Sequence, residues 1–240
     1  MKLIVQKSVR YSVQDFFQTV INLDYLDGIS LNIFKTKDDI LVTFNLILNS
    51  ESLLQSISSS TFNEIQNLEI IRLDTVISYL SSISYKKKVY LNLVSFKELQ
   101  LNEEQNKKAM YEFDLYITKL LKIINNSGLN IYIHSVSRDL LDILKSKKGS
   151  FTLGFVISGY DLTYIDVSYY VFSYQVLDLL LVKQEIDLDK EVIIYLDSDY
   201  TMSKLYELLF DSKNKIGAKV KNNIFLMGNY PELMKKTFLS

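Results

Sequence analysis

The chain contains no cysteine and no tryptophan, a single histidine, a single proline and seven glycines in 240 residues. Without cysteine there is no disulfide framework, no thiolate zinc site, no iron–sulfur cluster and no cysteine nucleophile. One imidazole cannot supply a two-histidine zinc motif or a pair of proton-exchanging histidines. The glycines, at 28, 128, 149, 154, 159, 217 and 228, are too scattered for a GxGxxG or GxxxxGK[ST] phosphate cradle. Nor is there an excess of either charge. With 27 basic and 28 acidic residues the net charge is −1, which argues against broad binding to a nucleic-acid backbone. Long apolar runs are missing too. The most apolar stretch, Tyr169 to Val182, is broken by Ser173, Gln175 and Asp178, well short of the ~18 residues that span a bilayer. The apolar run after Met1 is too short for a signal-peptide core. The expectation is a cytoplasmic protein with no membrane span and no nucleic-acid partner.

What is present suits a folded domain. Hydrophobic residues make up 48% and charged residues 23% of the chain, enough apolar surface for a large core. Short runs of Ile, Val, Leu and Tyr predict strands at Leu3–Gln6, Ile29–Phe34, Leu41–Phe44, Val89–Val94, Ile131–Ser135, Phe151–Ile157, Val167–Phe172, Val192–Leu196 and Ile224–Met227. Between them, helical spacing predicts helices over 12–23, 73–83, 101–125, 137–146, 174–185, 200–211 and 231–238. The longest is the clearest: Met110, Phe113, Ile117, Leu120, Leu121 and Ile124 recur at three- and four-residue steps. Gly128 ends it, and Asp199 caps the helix that follows it directly.

Strand–helix repetition implies right-handed crossovers and a parallel sheet. Leu41–Phe44 follows the preceding strand too closely for a helical crossover. Setting it aside leaves eight strands, the count of a (β/α)8 barrel. An open doubly wound sheet competes, but its Gly-rich first turn is missing. No linker or low-complexity tract divides the chain, so one domain over 1–240 is expected. Lys86-Lys87-Lys88 and the Lys145, Lys147, Lys148 group read as solvated loops or helix ends. Ser58-Ser59-Ser60 reads as a flexible stretch.

One segment points to a family. Gly28-Ile29-Ser30-Leu31-Asn32-Ile33 runs into Thr36-Lys37-Asp38-Asp39, and then into a strand ending Phe44-Asn45. This resembles the glycerophosphodiester phosphodiesterases, which have Gly-Ile-Glu-Leu-Asp-Val, Thr-Lys-Asp-Gly and a strand ending His-Asp. Thr61-Phe62-Asn63-Glu64-Ile65-Gln66-Asn67-Leu68 is similar to Thr-Leu-x-Glu-Leu-x-x-Leu. Ile70 to Ile77 resembles Ile-Pro-Thr-Leu-Glu-Glu-Val-Leu. Leu91-Asn92-Leu93 sits where the family has Leu-Asn-Ile-Glu-x-Lys. Weaker matches follow at His134-Ser135-Val136, at Tyr195 and Ser198, and at Gly228-Asn229-Tyr230-Pro231, where the only proline would take a turn role. The resemblance implies a (β/α)8 TIM barrel with a short inserted segment after the second strand.

It also implies a chemistry that this chain lacks the groups for. Family hydrolysis resembles general acid–base catalysis by two histidines, with three carboxylates holding Mg²⁺ or Ca²⁺. On the resemblance, Gln6 and Lys7 replace the His-Arg of the first strand, and Phe44-Asn45 replaces His-Asp. Ser30, Asn32 and Val94 stand at the metal carboxylates, and Phe96 at a lysine. Gln and Phe exchange no proton near neutral pH, where a general acid or base contributes ~10²–10⁴ in rate. Hard cations need anionic oxygens; Asn32 offers one neutral carbonyl, Ser30 a hydroxyl and Val94 nothing. No cofactor is therefore expected.

Three readings follow. The first is an inactive barrel that binds a phosphate-bearing small molecule or a protein partner, with Lys7, Ser30, Asn32 and His134 as ligand-binding candidates; Lys7 would act as a point charge. Against an open mouth stands the possibility that Phe34, Phe44 and Phe96 fill it. The second is a divergent active phosphodiesterase with a rearranged site around His134, Asp197 and Lys7. The third is an assembly protein whose contact surface uses some of its 17 tyrosines.

Overall fold

The computed structural model describes residues 2–6, 13–18, 20–44, 51–68, 70–94, 103–157, 165–173, 190–196, 199–210 and 223–239. In chain order the strands are β1 (Lys2–Gln6), β2 (Gly28–Lys35), β3 (Leu41–Phe44), β4 (Ile71–Arg72), β5 (Lys88–Leu93), β6 (Asn130–Ser135), β7 (Phe151–Ile157), β8 (Tyr169–Ser173), β9 (Glu191–Leu196) and β10 (Ile224–Gly228). The helices are α1 (Val13–Gln18), α2 (Glu51–Ser59), α3 (Leu73–Ser82), α4 (Glu103–Ile124), α5 (Arg138–Ser146), α6 (Asp199–Phe210) and α7 (Pro231–Phe238). Strands β1, β2, β5, β6, β7, β8, β9 and β10 run parallel in that spatial order, and β1 pairs with both β2 and β10. The sheet closes, as the strand count predicted: this is a (β/α)8 barrel.

The inserted segment is also present. β3 runs antiparallel to β2, with Asn32 opposite Phe44, and β4 runs antiparallel to β3. Between β3 and β4 lie α2 and a 3-10 turn over Phe62–Leu68. Phe34, Val42, Leu54, Ile57, Ile65 and Ile70 form a small core of their own beneath this segment. Asp39, in the turn between β2 and β3, has φ of 62°; it stands where the resembling motif has glycine, the residue that adopts this conformation at least cost. Its carboxylate is tied to Lys35 at 2.8 Å and Lys119 at 3.2 Å, which offsets part of that strain.

Parallel strands covered on both faces bury both sets of alternating side chains. The outward set packs with the helices in one large core. The inward set fills the barrel: Ile4, Tyr90, Tyr169, Val171, Ile193, Phe225 and Met227 are buried together. Two inward glycines make room for the largest of these. A Cβ at Gly28 would lie 2.6 Å from the Lys88 carbonyl oxygen and 3.1 Å from the Tyr90 ring, and one at Gly154 would lie 2.3 Å from the Tyr169 ring.

Several local expectations change. Lys88 is not a solvated loop residue but the inward first residue of β5. Its ammonium lies 4.4 Å from the ring centroids of both Tyr132 and Phe225 and 3.2 Å from the Glu191 carboxylate, closing the barrel floor. Ser58 and Ser59 belong to the end of α2, where their hydroxyls donate to the Gln55 and Ser56 carbonyls. The Thr61 amide and hydroxyl both donate to Glu64, an arrangement that fixes the turn after α2. The helix expected over 231–238 is present with those bounds, and Pro231 is its first residue, a position that wastes no N–H. Helix α6 begins at Asp199 itself, one residue before the expected start. The expected helix over 174–185 lies outside the described residues.

Because the Gly28 contact is with backbone, a methyl group there cannot be accommodated by a side-chain rotation. Gly28→Ala is expected to lower unfolding free energy by about 1–3 kcal/mol, measured by urea denaturation; wild-type stability would contradict the close strand approach.

Candidate functional site at the barrel mouth

In a (β/α)8 barrel, inward residues at the carboxyl ends of the strands form the mouth. Register places Gln6 beside Ser30, Asn32 beside Asn92, and Asn92 beside His134, all with inward parity. The structure thus gathers Gln6, Ser30, Asn32 and His134 into one barrel interior. Lys7, Asn45, Phe96 and Asp197 lie outside the described residues. Phe44 is placed only by its backbone, opposite Asn32. Val94, just past β5, packs partly against the small core under the inserted segment. Phe34 is also in that core, so it does not fill the mouth.

The centre of the arrangement is the Asn32 side chain, which is 1% exposed. Its Oδ1 accepts from Asn92 Nδ2 at 2.8 Å and from Gln6 Nε2 at 3.3 Å. In this arrangement the Asn32 oxygen is the acceptor that both neighbouring amides share. The one neutral carbonyl that Asn32 offers is already committed to two N–H donors. What Asn32 has left is Nδ2, which is buried and makes no hydrogen bond; the Ser30 Oγ and the Tyr90 hydroxyl are buried and unpartnered as well. Ser30 and Tyr90 are register partners on β2 and β5, one inward step below the Asn32–Asn92 pair. Each such buried, unmade hydrogen bond costs about 1–3 kcal/mol. Burial also pushes the Tyr90 hydroxyl pKa up, so it stays protonated.

These residues do not fit a hard divalent cation. The Asn32 oxygen is taken up by two amides, Ser30 offers a neutral hydroxyl and Val94 no donor atom, where Mg²⁺ or Ca²⁺ needs several oxygens. Among the described residues, no three His, Cys, Asp or Glu side chains come together as a metal site.

His134 is 2% exposed, with Nδ1 3.0 Å from the Tyr169 hydroxyl and its ring edge-on to the Tyr169 ring at 5.9 Å. Tyr90 packs against both, its ring centroid 6.4 Å from that of His134 and 5.9 Å from that of Tyr169. Burial drives its pKa down to about 3. The imidazole is thus neutral at ordinary pH and enclosed by aromatic rings. Next to it, Ser135 and Ser137 shape the turn into α5. The Ser135 hydroxyl donates to the Leu93 carbonyl and accepts from the Ser137 amide, while the Ser137 hydroxyl accepts from the Leu140 amide and caps the helix.

Sequence reasoning did not single out Tyr90 or Asn92 as site residues. The signal was available: in Lys88-Val89-Tyr90-Leu91-Asn92 the polar-capable side chains fall at every second position, which puts them on one face of a strand.

No protein-family model and no curated protein sequence matches the chain. Solved structures do. A protein of Silicibacter pomeroyi assigned as a glycerophosphoryl diester phosphodiesterase superposes with a TM-score of 0.67 at 10% identity, covering 100% of this chain and 93% of that one. A phosphodiesterase of Oleispira antarctica, solved with the product sn-glycerol-3-phosphate, gives 0.64 at 12% identity over 100% and 97% of the two chains. A glycerophosphodiester phosphodiesterase of Parabacteroides distasonis gives 0.64 at 13% identity over 98% and 95%. At such identities the likeness establishes the fold.

The single histidine allows an unambiguous test by NMR. Its ring resonances are expected to stay at their neutral positions from pH 8 to pH 5; a transition near 6.5 would contradict the enclosed site. A folded pKa of about 3 lies below the ordinary 6.5, so the unfolded chain binds the extra proton in between. Stability from this residue is intact above pH 6.5 and is lost as pH falls toward 3, at up to about 1.4 kcal/mol per pH unit.

Proposed function

We propose that this chain, which shares the (β/α)8 fold of glycerophosphodiester phosphodiesterases along its length, is a binding protein that does not hydrolyse phosphodiesters. One observation carries the reading. The positions that the resemblance assigns to acid–base and metal-binding side chains hold Gln6, Ser30, Asn32 and Val94, and the amides among them bond to each other. Metal-assisted hydrolysis needs a polarised phosphoryl oxygen and groups that give and take protons. A carboxamide does neither at neutral pH, and its dipole is a weak substitute for a bound dication.

The competing reading, an active enzyme with a rearranged site, requires His134 as its acid or base. A general base works best with a pKa near the operating pH, and must reach the proton it moves. A value near 3 on a ring only 2% exposed meets neither condition. The barrel nevertheless keeps polar groups at its mouth rather than replacing them with an apolar plug, which supports a retained binding role. Buried polar side chains without partners are costly to keep for packing alone.

The decisive assay is release of glycerol phosphate from glycerophosphodiesters, with and without Mg²⁺ or Ca²⁺. No turnover above buffer is expected in either condition. Metal-dependent turnover that disappears in His134→Ala would instead establish the rearranged active site.

A further inference from the structure

We propose that the floor end of the barrel, opposite the mouth, docks onto a bilayer surface rich in anionic lipid headgroups. This surface is separate from the mouth, and the proposal does not depend on the reading of the site there.

The strands of the barrel all start at the floor end, and the helices between them finish there. Lysines collect at that end along one arc, which runs in ring order from α7 to α5. The arc carries Lys235 in the last turn of α7, Lys2 at the start of β1, Lys86 before β5, Lys122 in the last turn of α4 and Lys148 after α5. All of them are exposed. The helix macrodipole accounts for Lys122 and Lys235, but Lys2, Lys86 and Lys148 lie outside any helix. Acids on the arc are partly answered by other lysines. The Lys87 ammonium donates to the Leu23 carbonyl at 2.7 Å and feels the charges of Asp24 and Asp27, while Lys145 faces Asp142 at 3.9 Å. Among the described residues, Lys86, Lys122 and Lys148 make no ion pair. On the floor itself, Lys2 and Lys88 hold their ammoniums 4.5 and 4.4 Å from the centroid of the same Phe225 ring, and Glu191 pairs with Lys88. With a net charge of −1 on the whole chain, a positive arc gives the molecule a charge direction that orients it before an anionic surface.

What the arc meets is indicated by its apolar members and its shape. Ile83 and Leu239, at the C-caps of α3 and α7, are each 41% exposed at this same end. Aliphatic side chains set among lysines suit a lipid interface, where they enter the acyl boundary while the ammoniums stay with the headgroups. A nucleic acid offers Ile83 and Leu239 no equivalent. It would also meet the lysines along a line, whereas an arc around the end of a barrel is matched by a plane. The cations named are all lysine, without the guanidinium fork that reads phosphates and base edges.

The test is co-sedimentation of the full chain with phosphatidylcholine vesicles, with and without phosphatidylserine, over a range of NaCl concentrations. The chain is expected to sediment with the phosphatidylserine vesicles only, and less as salt rises. Lys86→Glu should weaken that partitioning about tenfold. Lys37→Glu makes the same charge change in the exposed turn after β2, at the mouth end, and should leave it unaltered. Ile83→Asp should weaken it as well. These positions are exposed, so an unchanged unfolding temperature confirms that each variant is folded. Equal binding to both vesicle types, or none to either, overturns the proposal. So does an equal loss in Lys86→Glu and Lys37→Glu, or a gel shift of duplex DNA at a salt concentration where vesicles are not bound.

Discussion

The hydrogen bonds that meet at Asn32 Oδ1 decide what the barrel mouth can be. They tie the inward ends of β1, β2 and β5 through Gln6, Asn32 and Asn92. They also use the Asn32 oxygen and leave its nitrogen buried without a partner. A single side chain thus joins three strands and takes up the acceptor that a cation would need. With a carboxylate at position 32 the same three strands would have one acid accepting from two amides, with lone pairs left over for a metal ion. With the carboxamide, the acceptor capacity that faces its neighbours is used, and the remaining valence donates.

The rest of the barrel supports this end by closing the other. Lys88 and Glu191 meet across the floor, with the ammonium between the Tyr132 and Phe225 rings. Above them, Tyr90 and Tyr169 occupy space made by Gly28 and Gly154. Tyr169 in turn holds His134. Charge is confined to the floor among the described inward residues, and the levels toward the mouth carry neutral hydroxyls, amides and one neutral imidazole. The histidine belongs to this packing: its hydrogen bond satisfies a buried tyrosine, and its burial keeps it uncharged.

Much of this fold was legible in the sequence. Eight short runs of Ile, Val, Leu and Tyr became the eight barrel strands with shifts of one or two residues, because buried parallel strands need no alternation and read as continuous apolar runs. Helix α4 was readable from its spacing. Helix α2 was not, since its apolar positions, Leu53, Leu54 and Ile57, are few and lie among serines. The site was legible in part. The resemblance located positions 6, 30, 32 and 94, and their residue types already told against metal and proton chemistry. What the sequence could not contain was the orientation of the Asn32 amide, which depends on donors 26 and 60 residues away along the chain. Lys88 was misread for a related reason. Three consecutive lysines look solvated until strand parity turns one of them into the barrel.

The most direct measurement of the central claim is the side-chain amide resonance of Asn32, followed by ¹H–¹⁵N NMR while Mg²⁺ or Ca²⁺ is added. With its carbonyl held by Gln6 and Asn92, the Asn32 amide is predicted to stay in place at every cation concentration. A saturable shift with either cation would show that the carbonyl is free to bind one, and would contradict the account.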